Sequence, residues 1–270
     1  MALFVFRGNA LVSPQEEKPV TQNIYDDPEF FEGYSQLPRS VEGLAGAPEW
    51  PALRALLPDM NGQKVVDLGC GYGWFARWAV EHGAHSVLGL DVSQKMLERA
   101  AADGRDSRII YRLANLEQLA LPTAGFTLAY SSLAFHYIPD LGRLLRTVHN
   151  ALVPGGQLVF SIEHPIFMAS LHPDWIVNAK GRKSWPVDHY QNEGPRSSHW
   201  LSKGVIKHHR TLGTLLNLLI ASGFILDHVN EWGPSADDLA ARPALADEVH
   251  RPMMLIVAAS RSRTAGVLGE

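Results

Sequence analysis

The chain has 270 residues, a formal net charge of −4 and a single cysteine, Cys70. Apolar residues make up 46% and charged residues 19%, which is ordinary for a globular protein with a substantial core. The scattered Lys and Arg residues form no basic run of the kind that binds nucleic acid, and one cysteine excludes an internal disulfide framework. We therefore expect a cytoplasmic monomer or homodimer without nucleic-acid or membrane partners.

The N-terminal segment is expected to contribute a mobile arm and a helical cover. The short apolar run 1–7 lacks the pattern of a signal peptide or a membrane span. Residues 8–22 are polar and proline-containing, which indicates an arm over residues 1–23. Residues 24–58 are predicted to be mostly helical, including one helix that carries Trp50, Leu53, Leu56 and Leu57.

A regular alternation of short apolar strands and helices begins at Lys64. Predicted strands lie at 64–68, 86–90, 108–112, 126–130 and 157–162. Predicted helices lie at 74–82, 93–102 and 140–152, with Ser93 as an N-cap and a Pro-Gly-Gly turn after the third helix. This order predicts a mostly parallel sheet with helices on both faces, in a core of residues 24–162.

The alternation breaks over residues 163–210, which are rich in His, Trp, Pro and Gly. A structureless loop of this length is unusual inside a compact domain, so we predict a lid inserted after the fifth strand. Its tryptophans could stack on an aromatic acceptor or form the lid's own small core. Residues 211–262 then resume the alternation and are predicted to complete the sheet, and 263–270 is a tail. The predicted elements there are a helix at 211–222, a strand at 224–230, a short helix within 235–249 and a strand at 253–259.

A glycine-rich turn follows the first predicted strand. Gly69, Gly71 and Gly73 alternate with other residues, so the backbone can turn sharply and approach a ligand closely. The next helix begins at about Trp74, and its N-terminal amides could face a carboxylate. The same stretch also fits the loose dinucleotide-binding pattern G-x-G-x-x-A.

Two acidic residues at strand ends indicate which class of ligand binds beside the glycine turn. Asp67 lies just before the glycine turn, where its carboxylate could hold an ammonium group directly or through water. Asp91 ends the second strand, where it could accept hydrogen bonds from both ribose hydroxyls. The pair favours a nucleoside with an amino-acid tail, although Asp91 alone would equally suit NAD.

Lys64 to Ile162 resembles the class I S-adenosylmethionine-dependent methyltransferases, of the type-11-like kind that act on small molecules. The resemblance is carried by the first motif at 67–73, the ribose-binding acid at Asp91, the adenine segment at 113–119 and the fourth-strand motif at 126–136. Asn115 stands where the family often has Asp, and an amide can both donate and accept. The resemblance implies an α/β, Rossmann-like fold with a seven-stranded sheet, S-adenosylmethionine as the cofactor and a small-molecule methyl acceptor.

The resemblance also implies a set of cofactor-binding residues. In similar enzymes an N-terminal helix closes over the cofactor, so Tyr34 or Arg39 could reach the methionine carboxylate, or Tyr34 could only pack on the glycine turn. Cys70 is expected to pack inside that turn. The full expected set is Tyr34, Arg39, Asp67, Gly69, Cys70, Gly71, Gly73, Asp91, Val92, Asn115, Leu116 and Ser131.

Catalytic candidates follow the fourth and fifth strands. The sulfonium is already an activated methyl donor, so alignment matters most and a base is needed only for some acceptors. His136 is the first candidate base, with a structural histidine as the alternative. Glu163 and His164 leave the fifth strand at the same edge and are candidates for touching the substrate. The histidines of residues 163–210 lack a closed ligand spacing, so no metal site is predicted.

Three other functions remain open from the sequence. The first is an NAD-dependent oxidoreductase of similar topology. The second is a non-catalytic S-adenosylmethionine-binding module. The third is a methyltransferase that acts on RNA or protein, which the absence of a basic patch disfavours.

Overall fold

The computed structural model describes residues 22–198, 201 and 204–263. The arm expected over 1–23 lies outside the described residues except at its last two positions, and the tail expected over 263–270 does so after Arg263.

The described chain contains eleven strands and nine α-helices. The strands are β1 (Lys64–Leu68), β2 (Ser86–Asp91), β3 (Ile109–Leu113), β4 (Phe126–Ser132), β5 (Leu152–Glu163), β6 (Ile176–Val177), β7 (Lys183–Ser184), β8 (Gly194–Ser198), β9 (Val205–His209), β10 (Phe224–Trp232) and β11 (Met254–Arg261). The helices are α1 (Pro28–Ser35), α2 (Pro38–Val41), α3 (Trp50–Ala55), α4 (Trp74–Glu81), α5 (Gln94–Ala102), α6 (Leu141–Ala151), α7 (Pro165–Met168), α8 (Leu212–Ala221) and α9 (Ala236–Ala241). Short 3₁₀ turns lie at Ile24–Asp26, Gly43–Gly46, Leu116–Gln118, Phe135–Tyr137 and Pro243–Val249.

Seven strands form one sheet in the order β10-β11-β5-β4-β1-β2-β3. The five strands from β3 to β5 are parallel to their neighbours, and β11 runs antiparallel to both β5 and β10. The carboxyl ends of β1 to β5 therefore meet at one edge, where α/β sheets bind ligands. This confirms the predicted Rossmann-like, mostly parallel fold.

Apolar side chains cover both faces of the sheet. On one face α6 and α8 supply Leu144, Leu145, Leu215 and Leu219, all almost fully buried. On the other face α3 and α4 bury Leu53, Phe75 and neighbouring alanines. Burial on both faces explains the nearly continuous apolar runs of the central strands.

The N-cap predicted at Ser93 is confirmed, and the structure adds a second one at Thr211. The Ser93 hydroxyl accepts a hydrogen bond from the Met96 N–H and begins α5. Thr211 does the same for α8 through the Thr214 N–H. Such caps satisfy backbone donors that have no partner inside the helix.

Two predicted boundaries were wrong. The fifth strand begins at Leu152, and the Pro-Gly-Gly segment lies within it as an irregularity, because Phe126 pairs with Leu152 but Leu128 pairs with Gln157. The helix expected to carry Leu56 and Leu57 ends at Ala55.

The segment after β5 contains a short helix and short paired strands. It begins with α7 and then forms two small hairpins, β6 with β7 and β8 with β9. β9 packs against the 3₁₀ turn Phe135–Tyr137 that follows β4. This contact brings the second hairpin to the carboxyl edge of the sheet.

Candidate active site

A cavity of about 950 Å³ lies at the carboxyl edge of the sheet. It extends between two regions, which we call the turn end and the lid end. The turn end is lined by Gly69, Gly71, Asp91, Val92, Asn115 and Leu116, and the lid end by His136, Glu163, Met168, Leu171, Arg196 and Lys207. The cavity thus joins the glycine turn to the segment that follows β5.

The glycine turn has the strained backbone that its sequence predicts. Gly69, Gly71 and Gly73 all have positive φ, at 80°, 50° and 71°. A Cβ at Gly71 would meet open space, whereas one at Gly73 would overlap the hydroxyl of Tyr111. Gly73 precedes α4 and lies outside both cavities described here, so the structure gives it a packing role in place of the expected ligand contact.

Asp67 is a buried carboxylate with an unsatisfied oxygen. Its residue is 2% exposed, and Oδ2 has no hydrogen-bond partner among the described residues. Burial, and then the charge of Asp91, raise the pKa of Asp67 well above its usual value. The side chain lines a smaller cavity of about 90 Å³, which shares Tyr34, Gly69 and Gly71 with the large one. A cationic ligand group in this cavity would give Asp67 Oδ2 the partner that it lacks among the described residues.

Asp91 organises the backbone at the turn end. Its Oδ2 accepts from the Gly71 N–H at 2.8 Å and its Oδ1 from the Ser93 N–H at 2.9 Å. Burial raises the pKa of Asp91, although these N–H donors oppose the shift. Each carboxylate oxygen can accept more than one hydrogen bond, so the side chain can also accept from a ligand.

The predicted adenine segment lines the same end. Asn115 Oδ1 accepts from the Glu117 N–H at 2.9 Å, which fixes the side chain at the start of a 3₁₀ turn. Leu116 and Val92 add apolar and backbone surface beside it. These residues are brought together with Asp91, as the sequence predicts.

Tyr34 and Arg39 come from the N-terminal helices and line both cavities. Arg39 donates to both carboxylate oxygens of the buried Glu49, at 2.9 and 3.1 Å. Tyr34 packs edge-on against Tyr72 of the glycine turn, and burial raises its pKa to about 12. Arg39 is thus positioned at the cavity by an ion pair, and Tyr34 by aromatic contacts.

Two other expected cofactor residues take structural positions. Ser131 is fully buried, lines neither cavity, and donates its hydroxyl to the Leu68 carbonyl at 2.7 Å, while its neighbour Ser132 lines both cavities. The expectation for Ser131 was wrong, because the pleat of β4 turns alternate side chains away. Cys70 lines only the smaller cavity, and burial raises the pKa of its thiol.

His136 lies at the lid end, 2% exposed, in the turn after β4. The Glu163 N–H donates to its Nδ1 at 3.4 Å. Burial, and then the charges of Lys207, Arg210 and Arg39, lower the pKa of His136 well below its usual value, so the ring is neutral at pH 7. Because Nδ1 accepts, the single ring proton is on Nε2. In this arrangement His136 offers an N–H donor on Nε2, and its role as a general base stays a prediction.

Glu163 lines the lid end and pairs with Lys207 of β9, Nζ to Oε1 at 2.5 Å. Their side chains are only 15% and 7% exposed. This pair joins the end of β5 to the second hairpin after it.

His164 was expected to touch substrate, and the structure contradicts this. Its Nδ1 accepts from the Ile166 N–H and so caps α7, and its Nε2 lies 2.8 Å from Glu231 Oε1. His164 is 1% exposed and lies outside both cavities described here. The residue after Glu163 faces away because side chains alternate at the strand end.

Several cavity residues were missed from the sequence. Lys207 was passed over between more conspicuous histidines, and Tyr25 and Tyr137, whose hydroxyls lie 3.1 Å apart, are 112 positions apart in the chain. Lys207 is buried on the same face of β9 as Val205 and His209, but the sequence of this strand has no apolar alternation that could have marked it.

Trp175 and Trp185 form a small core with Phe167 around Arg251, and Trp200 lies outside the described residues. The guanidinium lies 4.1 Å from the ring centroid of Trp185, 4.5 Å from Phe167 and 5.3 Å from Trp175. Arg251 also pairs with Glu248 at 2.7 Å. Trp175 and Trp185 therefore hold the segment after β5 to the residues before β11.

Within the described residues, no three or more His, Cys, Asp or Glu side chains are grouped as metal ligands would be. None of the helices in the same part of the chain is long and apolar enough to cross a membrane.

Comparison with known proteins identifies the family. The methyltransferase domain family matches residues 66–160. The crystal structure of an S-adenosylmethionine dependent methyltransferase from Mesorhizobium loti has 60% sequence identity and a TM-score of 0.79, and the match covers 81% of this chain and 100% of that one.

Two curated relatives extend this result. A Haemophilus influenzae protein described as uncharacterized is 36% identical over 250 residues, 88% of this chain and 97% of its own. A malonyl-[acyl-carrier protein] O-methyltransferase of Pseudescherichia vulneris is 32% identical over 145 residues, 54% of this chain and 53% of its own. The chain belongs to the class I S-adenosylmethionine-dependent methyltransferases, and S-adenosylmethionine is its cofactor.

Proposed function

We propose that the protein transfers the methyl group of S-adenosylmethionine to a small molecule held at the lid end of the cavity. One observation carries this proposal. A single cavity of about 950 Å³ connects the glycine turn and Asp91 with His136, Glu163 and Lys207. That volume is at the upper range of small-molecule sites, so it suits a cofactor and a small acceptor side by side.

The turn end fits the cofactor. In this proposal the unpaired oxygen of Asp67 accepts from the ammonium group, and Asp91 accepts from the ribose hydroxyls. Asn115 and Leu116 face the adenine, and Gly71 leaves room where a Cβ would stand. Tyr34 and Arg39 lie near the methionine end, where both cavities meet. When bound, the sulfonium supplies an activated methyl group, and the chain's task is to align an acceptor with it.

The lid end supports a small acceptor over a macromolecule. Residues from the segment after β5, among them Met168, Leu171 and Lys207, cover this end, and Met253 and Met254 add apolar surface. A covered chamber suits a molecule that enters whole. The malonyl-[acyl-carrier protein] O-methyltransferase matches over half of its length, so its name supports methyl transfer here without supplying the acceptor.

Methyl-labelled cofactor and a metabolite extract test the proposal. The purified protein is incubated with both, and label in small molecules is followed by mass spectrometry. We expect label in one small molecule, and its loss in Asp91→Ala, with the exposed Asp227→Asn as the matched control. Cofactor binding without transfer to any extract fraction would instead support a non-catalytic binding module, and label in protein or RNA would overturn the small acceptor.

A further inference from the structure

The position of the proton on the His136 ring determines which ligand group the ring can bind at the lid end. The Glu163 backbone nitrogen is a fixed donor, so the ring nitrogen that faces it, Nδ1, is the acceptor. A neutral imidazole has one proton, which is then on Nε2. Among the described residues Nε2 has no hydrogen-bond partner, and His136 lines the cavity. The ring therefore offers a ligand one N–H donor.

The charges around this donor favour an anion. Lys207, Arg210 and Arg39 are the charged groups that act on the ring. The carboxylate of Glu163, whose backbone N–H donates to the ring, is held by the Lys207 ammonium at 2.5 Å. The phenol of Tyr137, whose ring centroid lies 4.4 Å from that of His136, stays neutral because burial raises its pKa. Lys207 and Arg39 are each paired with a carboxylate, whereas Arg210 donates to the carbonyls of Ile138 and Pro139. A negative group beside Nε2 would thus meet a neutral N–H donor with the Arg210 charge nearby.

The lid end also has an apolar wall, beside polar and charged residues that include Ser170, Asp174 and Arg196. Phe167, Met168, Leu171, Ile206 and Met253 line it beyond the Glu163–Lys207 pair. Such a wall suits a hydrocarbon or aromatic body attached to the anionic group.

We propose that the methyl acceptor is a small carboxylic acid with an apolar body, held as its carboxylate by His136 Nε2–H and methylated on a carboxylate oxygen. The inference rests on the proposed methyl transfer to a small molecule. A bond forms between the carboxylate oxygen and the methyl carbon, and the carbon–sulfur bond breaks with its electron pair on sulfur. The negative charge of the acceptor and the positive charge of the sulfonium cancel, and no proton moves.

This chemistry agrees with the groups that the lid end provides. A hydroxyl or ammonium acceptor would have to lose a proton to a nearby base. The cavity-facing nitrogen of His136 already has its proton, and the Glu163 carboxylate is engaged by Lys207. A carboxylate is ionised at pH 7 and needs neither group as a base.

The first test needs no turnover. Nitrogen-15 labelling of histidine in the full chain, with His136→Gln to assign the signal, reports which ring nitrogen has the proton. We expect the Nε2–H form, and a shift of this signal on addition of benzoate or octanoate but not of benzamide or octanamide. A proton on Nδ1, or equal responses to acids and amides, would overturn the proposal even if no acceptor is found.

The second test uses the product. Methyl esters release methanol in mild alkali, whereas methyl ethers and methylamines do not. We expect the label that the protein transfers into a metabolite extract to become volatile on alkali treatment. Alkali-stable label would overturn the carboxylate assignment while leaving the methyltransferase intact, and no transfer at all would count against the proposed function, with the histidine signal still deciding the inference.

Two substitutions of His136 distinguish a hydrogen-bond donor from a general base by their effect on kcat/KM. The amide nitrogen of Gln can stand close to Nε2 of His, so His136→Gln should keep at least about a tenth of kcat/KM, while His136→Ala should lose about 10- to 100-fold. The exposed His228→Gln is the matched control. The rate should stay nearly level between pH 6 and 9, because the donor does not titrate there; equal losses in both His136 variants would contradict the donor role.

Discussion

Two buried carboxylates, Asp67 and Glu163, differ in how their charge is matched. Asp67, in the smaller cavity that adjoins the turn end, is 2% exposed, and its Oδ2 has no hydrogen-bond partner among the described residues. At the lid end the Glu163 side chain is 15% exposed and is matched by the Lys207 ammonium. An uncompensated buried charge is costly and persists where a ligand supplies its partner, whereas a compensated one can stabilise the fold without a ligand. From this comparison we expect Asp67 to pair with a cationic group of a ligand and the Glu163–Lys207 pair to stabilise the fold.

The largest effect is expected from removing the charge balance at the lid end. Lys207→Met leaves Glu163 without its partner in a mostly buried place, so the free energy of unfolding should fall by about 3 kcal/mol at pH 8 in urea titrations. The double variant Lys207→Met, Glu163→Gln should recover much of this loss. Lys183→Met, which breaks the more exposed pair with Asp247, is the control and should cost about 1 kcal/mol or less. Equal losses in the two lysine variants would remove the distinction between the two ends.

Asp67→Asn should act in the opposite sense on stability. The raised pKa means that the folded state holds the Asp67 proton more tightly than the unfolded chain does. The stability this provides is complete below pH of about 4 and is lost as the pH rises through the folded-state pKa. We therefore expect the ligand-free variant to melt higher than the wild type at pH 8, with the difference vanishing at low pH.

The same Asp67→Asn variant should bind S-adenosylmethionine more weakly by about 1.5–3 kcal/mol, because the ammonium loses a charged partner. Calorimetric titration measures this, with Asp227→Asn as the exposed control. A variant that is neither stabilised nor weakened in binding would show that the carboxylate at the turn end is not reserved for a cation.

Within the glycine turn, Gly73→Ala is expected to affect mainly folding stability and Gly71→Ala mainly cofactor binding. Gly73→Ala should cost about 2 kcal/mol of stability, because a Cβ there meets the Tyr111 hydroxyl in addition to the left-handed backbone. Gly71→Ala meets no neighbour and should cost about 1 kcal/mol, yet should weaken cofactor binding because its Cβ projects into the site. Thermal melting with and without cofactor distinguishes them, and similar profiles for both variants would contradict their different surroundings.

The smallest effect is expected at Arg251, far from the turn end. Arg251→Lys keeps the charge but loses the planar contact with Trp185, Phe167 and Trp175, which should cost about 0.5–1 kcal/mol. Tryptophan fluorescence should change while cofactor affinity does not. Arg54→Lys, beside Trp78, serves as the control. A change in cofactor affinity would mean that the aromatic cluster around Arg251 is coupled to the turn end of the cavity.

The sequence predicted the fold well where local signals decide it. β1 matches its predicted bounds, and the cap at Ser93 is confirmed, because apolar period and capping residues act within a few positions. The start of β5 escaped prediction because pairing with β4 overrides the turn preference of Pro154, Gly155 and Gly156.

The site residues also divide into those that local sequence signals predicted and those that they did not. Asp67, Gly71, Asp91 and Asn115 come together at the turn end because each directly follows or ends a parallel strand or lies just beyond one. Ser131 and His164 were wrong because the direction of a side chain at a strand end depends on the pleat. Lys207 was missed because its partner lies 44 positions away, and no local pattern reports such a pair.

The N-terminal segment is fastened over the turn end by a few polar links. Asp26 Oδ1 accepts from the Ser93 hydroxyl at 2.6 Å and from the Lys95 N–H at 3.2 Å, and the Asn23 side chain donates to the Val92 carbonyl. These links can break and reform without repacking the sheet, so this segment can open at a lower free energy than global unfolding. In the proposed function, opening of this segment would let the cofactor enter and leave the turn end while the sheet stays folded.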